Sequence, residues 1–231
     1  MTRYPGAGNR RSSAARRVRA FAIALLALIV SVGMRVLDAQ VIDRVLAVVS
    51  GTVILMSDAR AALSLGLFDA GKAADPVEAA MRWLIDRRLV LDEAGRGGRV
   101  DVDPAAIDRD ADQVRQRFSS EDAYRRALEG LGLDDAGVRR LVREALTVRK
   151  YVEDRFDSAM PPSDEELREY YASHADRFVR DGRQRAFEEA LADVTAAVQQ
   201  DRRAQAVSAW MDRLRRRADI REVYRSATRK M

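Results

Sequence analysis

Cysteine is absent from the 231-residue chain, and histidine occurs once, as His174. Without cysteine the chain can form no disulfide, no thiolate metal site and no cysteine nucleophile. A single histidine supplies too few ligands for a histidine-based metal or catalytic cluster. We therefore predict no catalytic residue, no metal site and no cofactor. We expect His174 to be a surface residue near the end of a helix.

Proline is also scarce, with five residues, whereas hydrophobic residues make up 47% of the chain. This composition is typical of a folded protein rather than a disordered one. The formal net charge is +5, but residues 1–39 contain seven arginines and one acidic residue. The remainder has 34 basic and 35 acidic residues, so it is nearly neutral. A nucleic-acid-binding function is therefore disfavoured for the body of the chain.

The N-terminal segment has the pattern of an export signal. Residues 1–19 are polar and rich in arginine, and Ala20–Met34 is an apolar run of 15 residues. This run is shorter than the roughly 20 residues that a membrane-spanning helix needs. With cleavage after the small residue Ala39, residues 1–39 form a signal peptide and residues 40–231 the exported domain. An uncleaved membrane anchor facing the same compartment is the alternative.

A predicted β-hairpin follows the leader. The runs Val45–Val49 and Thr52–Met56 are apolar and prone to β-structure, and only Ser50 and Gly51 separate them. A two-residue link that contains glycine favours a tight hairpin. Because an isolated hairpin is marginally stable in water, it needs a further partner. We expect that partner to be a C-terminal strand within Asp219–Arg225.

Helical patterns fill most of the remaining sequence. Asp75-Pro76 and Asp103-Pro104 each place an N-cap residue before proline at the first helical position. Ser163–Glu166 has the sequence of a capping box. The last helix is long enough to extend roughly 50 Å at 1.5 Å per residue. The predicted fold is mainly α, with a small sheet that joins the chain ends and seven helices near 57–67, 75–94, 103–118, 119–129, 134–157, 163–176 and 183–218.

The order of these motifs resembles that of the SurA-type periplasmic chaperones. VIDRVLAVVSGTVILMSD is similar to the start of the mature chaperones. AAMRWLIDRRLVLDEA, VDPAAIDRDADQVRQRF and LVREALTVRKYVEDRF follow in the order of that family's N-terminal helical domain. AVSAWMDRLRRRADIREVY is similar to the long helix and strand that return to it. The resemblance covers residues 40–231 and implies a SurA N-terminal-like domain in the periplasm.

One departure from the family bears on activity. PSDEELREYYASHADRF resembles the point where SurA, PpiD and PrsA proteins enter a parvulin prolyl-isomerase domain. Here seven residues, 179–185, stand where the family carries one or two domains of about 90 residues, too few to build such a domain. The resemblance therefore implies a chaperone without isomerase activity, not an enzyme. Its partners would be unfolded exported or outer-membrane proteins and the outer-membrane assembly machinery.

Three residues are candidates for client binding, because they lie where a helix ends in a glycine-containing loop: Leu65, Leu67 and Phe68. Trp83 and Trp210 lie on apolar stripes and are expected in the core. Two alternative functions remain open at this point. One is residual peptidyl-prolyl isomerase activity, and the other is a membrane-anchored assembly adaptor that binds a single partner.

Overall fold

The computed structural model describes residues 43–98, 100–157 and 161–226. The chain divides into residues 1–42 and a second unit, residues 43–231, and all described residues belong to the second unit. The predicted signal peptide, residues 1–39, lies outside the described residues. None of the helices in the described ranges combines the length and the apolar character that a membrane span requires.

Helices dominate the described ranges. The strands are short and lie at the two ends of this unit, except for one small hairpin before the last helix. The elements in chain order are β1 (Val45–Val49), β2 (Thr52–Leu55), α1 (Met56–Ser64), α2 (Pro76–Gly97), α3 (Pro104–Gln116), α4 (Glu121–Leu131), α5 (Asp135–Phe156), α6 (Asp164–Ser173), a 3-10 turn (Ala175–Phe178), β3 (Val179–Arg180), β4 (Arg183–Gln184), α7 (Phe187–Arg217) and β5 (Ile220–Glu222).

The predicted hairpin and its C-terminal partner strand are confirmed. β1 pairs with β2 in antiparallel orientation, and Val49 lies opposite Thr52 across the two-residue turn. Ser50 and Gly51 have φ values of +48° and +84°, the left-handed conformations that a type I′ turn requires. β5 pairs antiparallel with the other edge of β1, so the strand order is β2-β1-β5.

Hydrogen bonds fasten the C-terminal strand to the rest of the fold. The N–H of Ser50 donates to the carbonyl of Asp219, and the N–H of Val223 donates to the carbonyl of Leu46, each at 2.8 Å. Further along, the hydroxyl of Tyr224 donates to Asp75 Oδ2 at 2.9 Å. Asp75 is the N-cap of α2 and accepts from the amides of Val77 and Glu78. The carboxylate of Asp75 therefore caps the N-terminus of α2 and also accepts a hydrogen bond from the C-terminal segment.

Trp210 on α7 lies at the centre of the first hydrophobic cluster. Its side chain is 2% exposed and contacts the rings of Tyr151 and Phe156, with centroid separations of 6.1 and 5.5 Å. The predicted core position of Trp210 is confirmed. Trp83 is only half-buried and stacks on Phe68 at 5.4 Å. The other buried members come from the hairpin and three helices: Leu46, Ala47, Val49, Ile54, Ala59, Ala80, Met81, Ile85, Leu89, Val90 and Leu214.

Two further clusters complete the interior. The second joins α1, α3, α4 and α5, whereas the third joins α6, the 3-10 turn and the first half of α7. At 1.5 Å per residue, the 31 residues of α7 extend about 46 Å. This single helix therefore carries core residues of both the first and the third cluster. The fully enclosed members of the third cluster are Leu167, Phe178, Ala190, Val194 and Val198.

Several helix boundaries differ from the sequence prediction by one to four residues, and two of them have clear local reasons. α7 begins at Phe187, not near residue 183, because Asp181 and Gly182 adopt φ values of +53° and +75° and turn β3 back onto β4. α1 begins at Met56 rather than Ser57. There the carboxylate of Asp58 accepts the N–H of Leu55 at 2.8 Å and so satisfies the first turn.

Candidate functional site

A small apolar cavity opens beside the hairpin, between β2, α1, α2 and α5. Its volume is about 150 Å³, comparable to cavities that hold a benzene-sized ring. Aliphatic side chains from all four elements form most of its wall. An open apolar pocket with few polar groups is the usual form of a binding site. The aliphatic lining residues are Val53, Ile54, Ala62, Leu67, Leu84, Leu91 and Leu141, and the polar or charged ones are Thr52, Asp58, Arg87, Arg88 and Glu144.

Local structure fixes the loop that carries Leu67. Gly66 has a φ of +63°, which glycine adopts without strain, and the N–H of Leu67 then donates to the carbonyl of Ala62 at 2.9 Å. Arg117 reaches over from the end of α3 and donates to the carbonyl of Gly66. The loop is thereby held on both sides, and Leu67 is directed into the cavity wall.

Arg87 supplies the buried charge at this site. Its side chain is enclosed, with the residue 6% exposed, and its Nη2 donates to the carbonyl of Leu141 at 2.6 Å and to Glu144 Oε2 at 3.1 Å. The guanidinium lies 5.3 Å from the ring centroid of Trp83. Burial lowers the pKa of Arg87, while the charges of Glu144 and Asp58 act in the opposite direction. Within the described residues its Nε has no hydrogen-bond partner.

Replacing Arg87 with methionine should therefore lower the free energy of unfolding by about 1 kcal/mol. The apolar chain fills the same space, but the carbonyl of Leu141 and the carboxylate of Glu144 each lose a donated hydrogen bond. The matched variant Arg87→Ala leaves a cavity and should lower the free energy of unfolding by about 2 kcal/mol. Urea denaturation of both variants measures the difference. A loss of stability as large in the methionine variant as in the alanine variant would contradict this account of the site.

The other cavities in the described ranges are more polar. One of about 350 Å³ is lined largely by charged side chains of α3 and α5, together with Tyr124 of α4. Among them, Asp108 pairs with Arg139, and the neighbouring Asp110 pairs with Arg149 at 3.5 Å. These carboxylates already have cationic partners. No group of three or more histidine, cysteine or acidic residues in the described part of the chain is arranged to hold a metal ion.

A solved structure from Campylobacter jejuni is similar to this chain, with a TM-score of 0.53 and 14% sequence identity. The similarity covers 78% of this chain and 99% of that one. The work on that structure describes the virulence factor PEB4 and the periplasmic protein Cj1289 as two structurally related SurA-like chaperones. The fold is SurA-like. No family model matches the chain, and no curated protein matches it.

The SurA-like fold confirms the predicted fold class: mainly helical, with a hairpin, a closing C-terminal strand and one long helix. At 14% identity the likeness concerns the fold. The candidate site is therefore defined by the side chains of this chain alone. The cavity is built from the hairpin and the helices that follow it, α1, α2 and α5.

The three predicted client-binding residues occupy three different environments in the SurA-like fold. Leu65 is 0% exposed and belongs to the second cluster. It follows the last turn of α1 and points toward the core face of that helix. Leu67 is half-buried and lines the cavity. Phe68 is half-buried between the first cluster and Trp83. Client binding by Leu65, Leu67 and Phe68 stays a prediction, and of the three only Leu67 lines the cavity.

The sequence analysis did not identify the cavity residues on the hairpin and on α2. Leu84 and Leu91 are seven positions apart, with Arg87 and Arg88 between them. This spacing places all four on one side of a helix, next to the stripe that faces the core. For Val53 the available signal was an apolar residue at the outward-facing position of a predicted strand. In the structure its side chain points to solvent, and the residue is 46% exposed.

His174 lies at the C-terminal end of α6, as predicted. Its ring is half-buried and stacks on Tyr170 with a centroid separation of 4.2 Å. Its Nδ1 lies 3.1 Å from the carbonyl oxygen of Tyr170. The hydroxyl of Tyr170 in turn donates to Asp201 on α7 at 2.7 Å. These contacts give His174 a structural position beside Tyr170, which packs against the third cluster, and His174 is not among the residues that line the apolar cavity.

Proposed function

We propose that this protein is an ATP-independent periplasmic chaperone that binds unfolded exported or outer-membrane polypeptides. The observation that carries the proposal is the open apolar cavity between β2, α1, α2 and α5 of a SurA-like fold. The contacts it offers to a client are mainly aliphatic. Aliphatic contacts tolerate many sequences because few buried polar groups have to be matched, and this tolerance is what a chaperone needs.

The arginines that line the cavity favour reversible binding, because both already have acidic partners. Arg88 already pairs with Asp92 at 2.7 Å, and Arg87 pairs with Glu144. A client would therefore gain mainly apolar contacts and few new ion pairs. Because no energy source drives release, the affinity has to be weak. We expect dissociation constants near the micromolar range, about −8 kcal/mol.

The proposal includes export through the signal peptide at residues 1–39. Support comes from the arginine-rich start and the 15-residue apolar run of the leader, together with the SurA-like fold. N-terminal sequencing of protein recovered from the periplasm tests this part. A mature chain that begins at Gln40 agrees with cleavage after Ala39. A chain recovered from membranes with its leader intact would favour the anchored alternative.

The proposal also includes the lack of prolyl-isomerase activity. Between α6 and α7 the chain forms a 3-10 turn and the two-residue strands β3 and β4. The hydroxyl of Tyr171 on α6 donates to the carbonyl of Arg185, just before α7. The connection is thus short and closed by local contacts. A proline-containing test peptide should isomerise at its uncatalysed rate in the presence of the protein, and measurable acceleration would contradict this part.

Suppression of aggregation tests the chaperone function directly. Light scattering by a denatured client protein should fall when the wild-type chain is added at a stoichiometric amount. Leu91→Glu places a charge in the cavity wall and should abolish most of the suppression. Leu191→Glu is the matched control, because Leu191 is 41% exposed on α7 and lies outside the cavity lining. If the wild-type chain leaves scattering unchanged, the proposed function is wrong.

A pull-down separates the chaperone from the adaptor. Wild-type protein should recover many outer-membrane or secreted proteins in substoichiometric amounts, and Leu91→Glu should recover fewer of them. Recovery of one protein in a fixed ratio, unaffected by Leu91→Glu, would indicate an assembly adaptor that uses another surface.

A further inference from the structure

β2 forms an edge of the three-stranded sheet. The strand order is β2-β1-β5, and in the described ranges no strand lies on the outer side of β2. The apolar cavity lies directly against this edge, since Thr52, Val53 and Ile54 all contribute to its lining. A free strand edge beside an apolar cavity offers both backbone and side-chain contacts to an extended polypeptide.

The ladder shows which backbone groups of β2 are free. In a hairpin with a two-residue turn, the pair that flanks the turn exchanges hydrogen bonds, and bonded and non-bonded pairs then alternate. Val49 and Thr52 are the flanking pair, so Val48 and Val53 form a non-bonded pair. The hydrogen bonds on the other side of β1 support this assignment. Leu46 and Ser50, which alternate with Val49 as Val48 does, bond to the C-terminal segment and not to β2. The N–H and C=O of Val53 therefore point away from the sheet.

The next outward-facing donor on β2 is already occupied. The N–H of Leu55 donates to Asp58 Oδ2 at 2.8 Å. Beyond the other end of β2, Ser50 and Gly51 form the tight turn. Among the residues that the structure describes, the open donor and acceptor of this edge are therefore concentrated at Val53, next to the cavity.

Resting on the proposed function, we propose that clients bind as an added β-strand at Val53, with an apolar side chain placed in the cavity. A client residue paired with Val53 exchanges backbone hydrogen bonds with its N–H and C=O. Successive side chains of a strand point to opposite faces. The client residue opposite Val53 therefore points to solvent, and a residue next to it points to the face of Ile54, where Leu84, Leu91 and Leu141 form the cavity wall.

This mode defines the class of client segment. The preferred segment is extended, prone to β-structure, and apolar at alternate positions. A segment that binds only as a helix keeps its backbone donors and acceptors within itself and cannot pair with Val53. The protein should therefore prefer alternating, strand-forming sequences over amphipathic helices of the same composition.

Backbone N-methylation of a client peptide tests the hydrogen bonds separately from the side chains. The probe is a fluorescein-labelled nine-residue peptide of alternating valine and threonine with a central tyrosine, and its binding to the full chain is measured by fluorescence anisotropy. Peptides N-methylated at single positions retain their side chains but lose one backbone donor each. At the position that pairs with Val53, N-methylation should weaken binding about tenfold, while methylation at an adjacent position has a smaller effect. Equal binding of every N-methylated peptide and the parent would overturn strand addition.

A variant of the protein gives the complementary test. Proline is tolerated on an edge strand where its missing N–H faces outward, so Val53→Pro removes the proposed donor while the ladder to β1 stays intact. Val53→Thr is the control, because it keeps the backbone donor and the β-branched shape. We expect about tenfold weaker peptide binding for Val53→Pro and near wild-type binding for Val53→Thr. The N-methylated peptides decide the matter on wild-type protein if the proline variant does not fold.

The experiments distinguish a failure of strand addition at Val53 from a failure of the proposed chaperone function. If the wild-type chain suppresses aggregation while N-methylation and Val53→Pro leave peptide binding unchanged, only strand addition is wrong. If the wild-type chain neither suppresses aggregation nor binds the peptide, both the proposed function and strand addition are wrong.

Discussion

Replacing Trp210 with alanine should lower the free energy of unfolding by about 3–5 kcal/mol, the range for truncation of a fully buried aromatic residue. Trp210 is 2% exposed and contacts Tyr151 and Phe156 of α5, and its cluster also contains the hairpin and α2. Its loss therefore weakens the contacts of α7 with several elements at once. Urea denaturation followed by circular dichroism measures the effect.

Two further variants make this prediction specific to packing at the centre of the cluster. Trp210→Phe keeps an aromatic ring and removes an indole N–H that has no partner among the described residues, so the loss should be about 1 kcal/mol. Leu191→Ala, at an exposed position on the same helix, should change stability by less than about 0.5 kcal/mol. Equal destabilisation by all three substitutions would show that packing at Trp210 does not determine the stability, because alanine is itself a strong helix former.

Local sequence signals were sufficient to predict much of this fold. Ser50-Gly51 between two apolar runs predicted the hairpin, and Asp75-Pro76 and Asp103-Pro104 predicted two helix starts that the structure confirms. In each case a few adjacent residues determine the backbone conformation, and the tertiary contacts do not change that local preference. The pairing of β5 with β1 is non-local, and the resemblance to SurA-type chaperones gave further reason to expect it.

The candidate site was harder to predict because it depends on how separate elements meet. The sequence indicated a patch around Leu65, Leu67 and Phe68, but apolar character alone cannot distinguish a side chain that enters the core from one that lines an opening. Leu65 is buried, whereas Leu67 lines the cavity two positions later, because the left-handed turn at Gly66 changes the direction of the chain. The contribution of Leu141 from α5 depends on the contact between α2 and α5.

Arg87 shows a second limit of sequence reasoning. A basic residue within a helix is normally expected at the surface, yet Arg87 is buried among α2 and α5 and bonds to the carbonyl of Leu141. Its aliphatic stem and its position over Trp83 allow it to serve as part of an apolar wall while the guanidinium meets Glu144. Only the three-dimensional positions of its partners reveal this role.

Ending the chain after Ala218 should cost about as much stability as removing the side chain of Trp210, again about 3–5 kcal/mol. The truncation removes β5, with its backbone bonds to Leu46 and Ser50, and the partly buried side chains of Ile220 and Tyr224, which pack against the first cluster. It also removes the hydrogen bond from the hydroxyl of Tyr224 to Asp75.

The same truncation should change solubility as well as stability, because it exposes the second edge of β1. An unprotected apolar strand edge is a template for pairing with other chains, so we expect the truncated protein to aggregate at concentrations where the full chain is monodisperse. Val223→Thr is the control, since Val223 is exposed and its backbone bond to Leu46 is retained. It should shift the urea midpoint very little. If the truncated chain unfolds at the same urea concentration as the full chain and stays soluble, the closing strand does not stabilise the hairpin, and β2 would lack the rigid support that strand addition at Val53 requires.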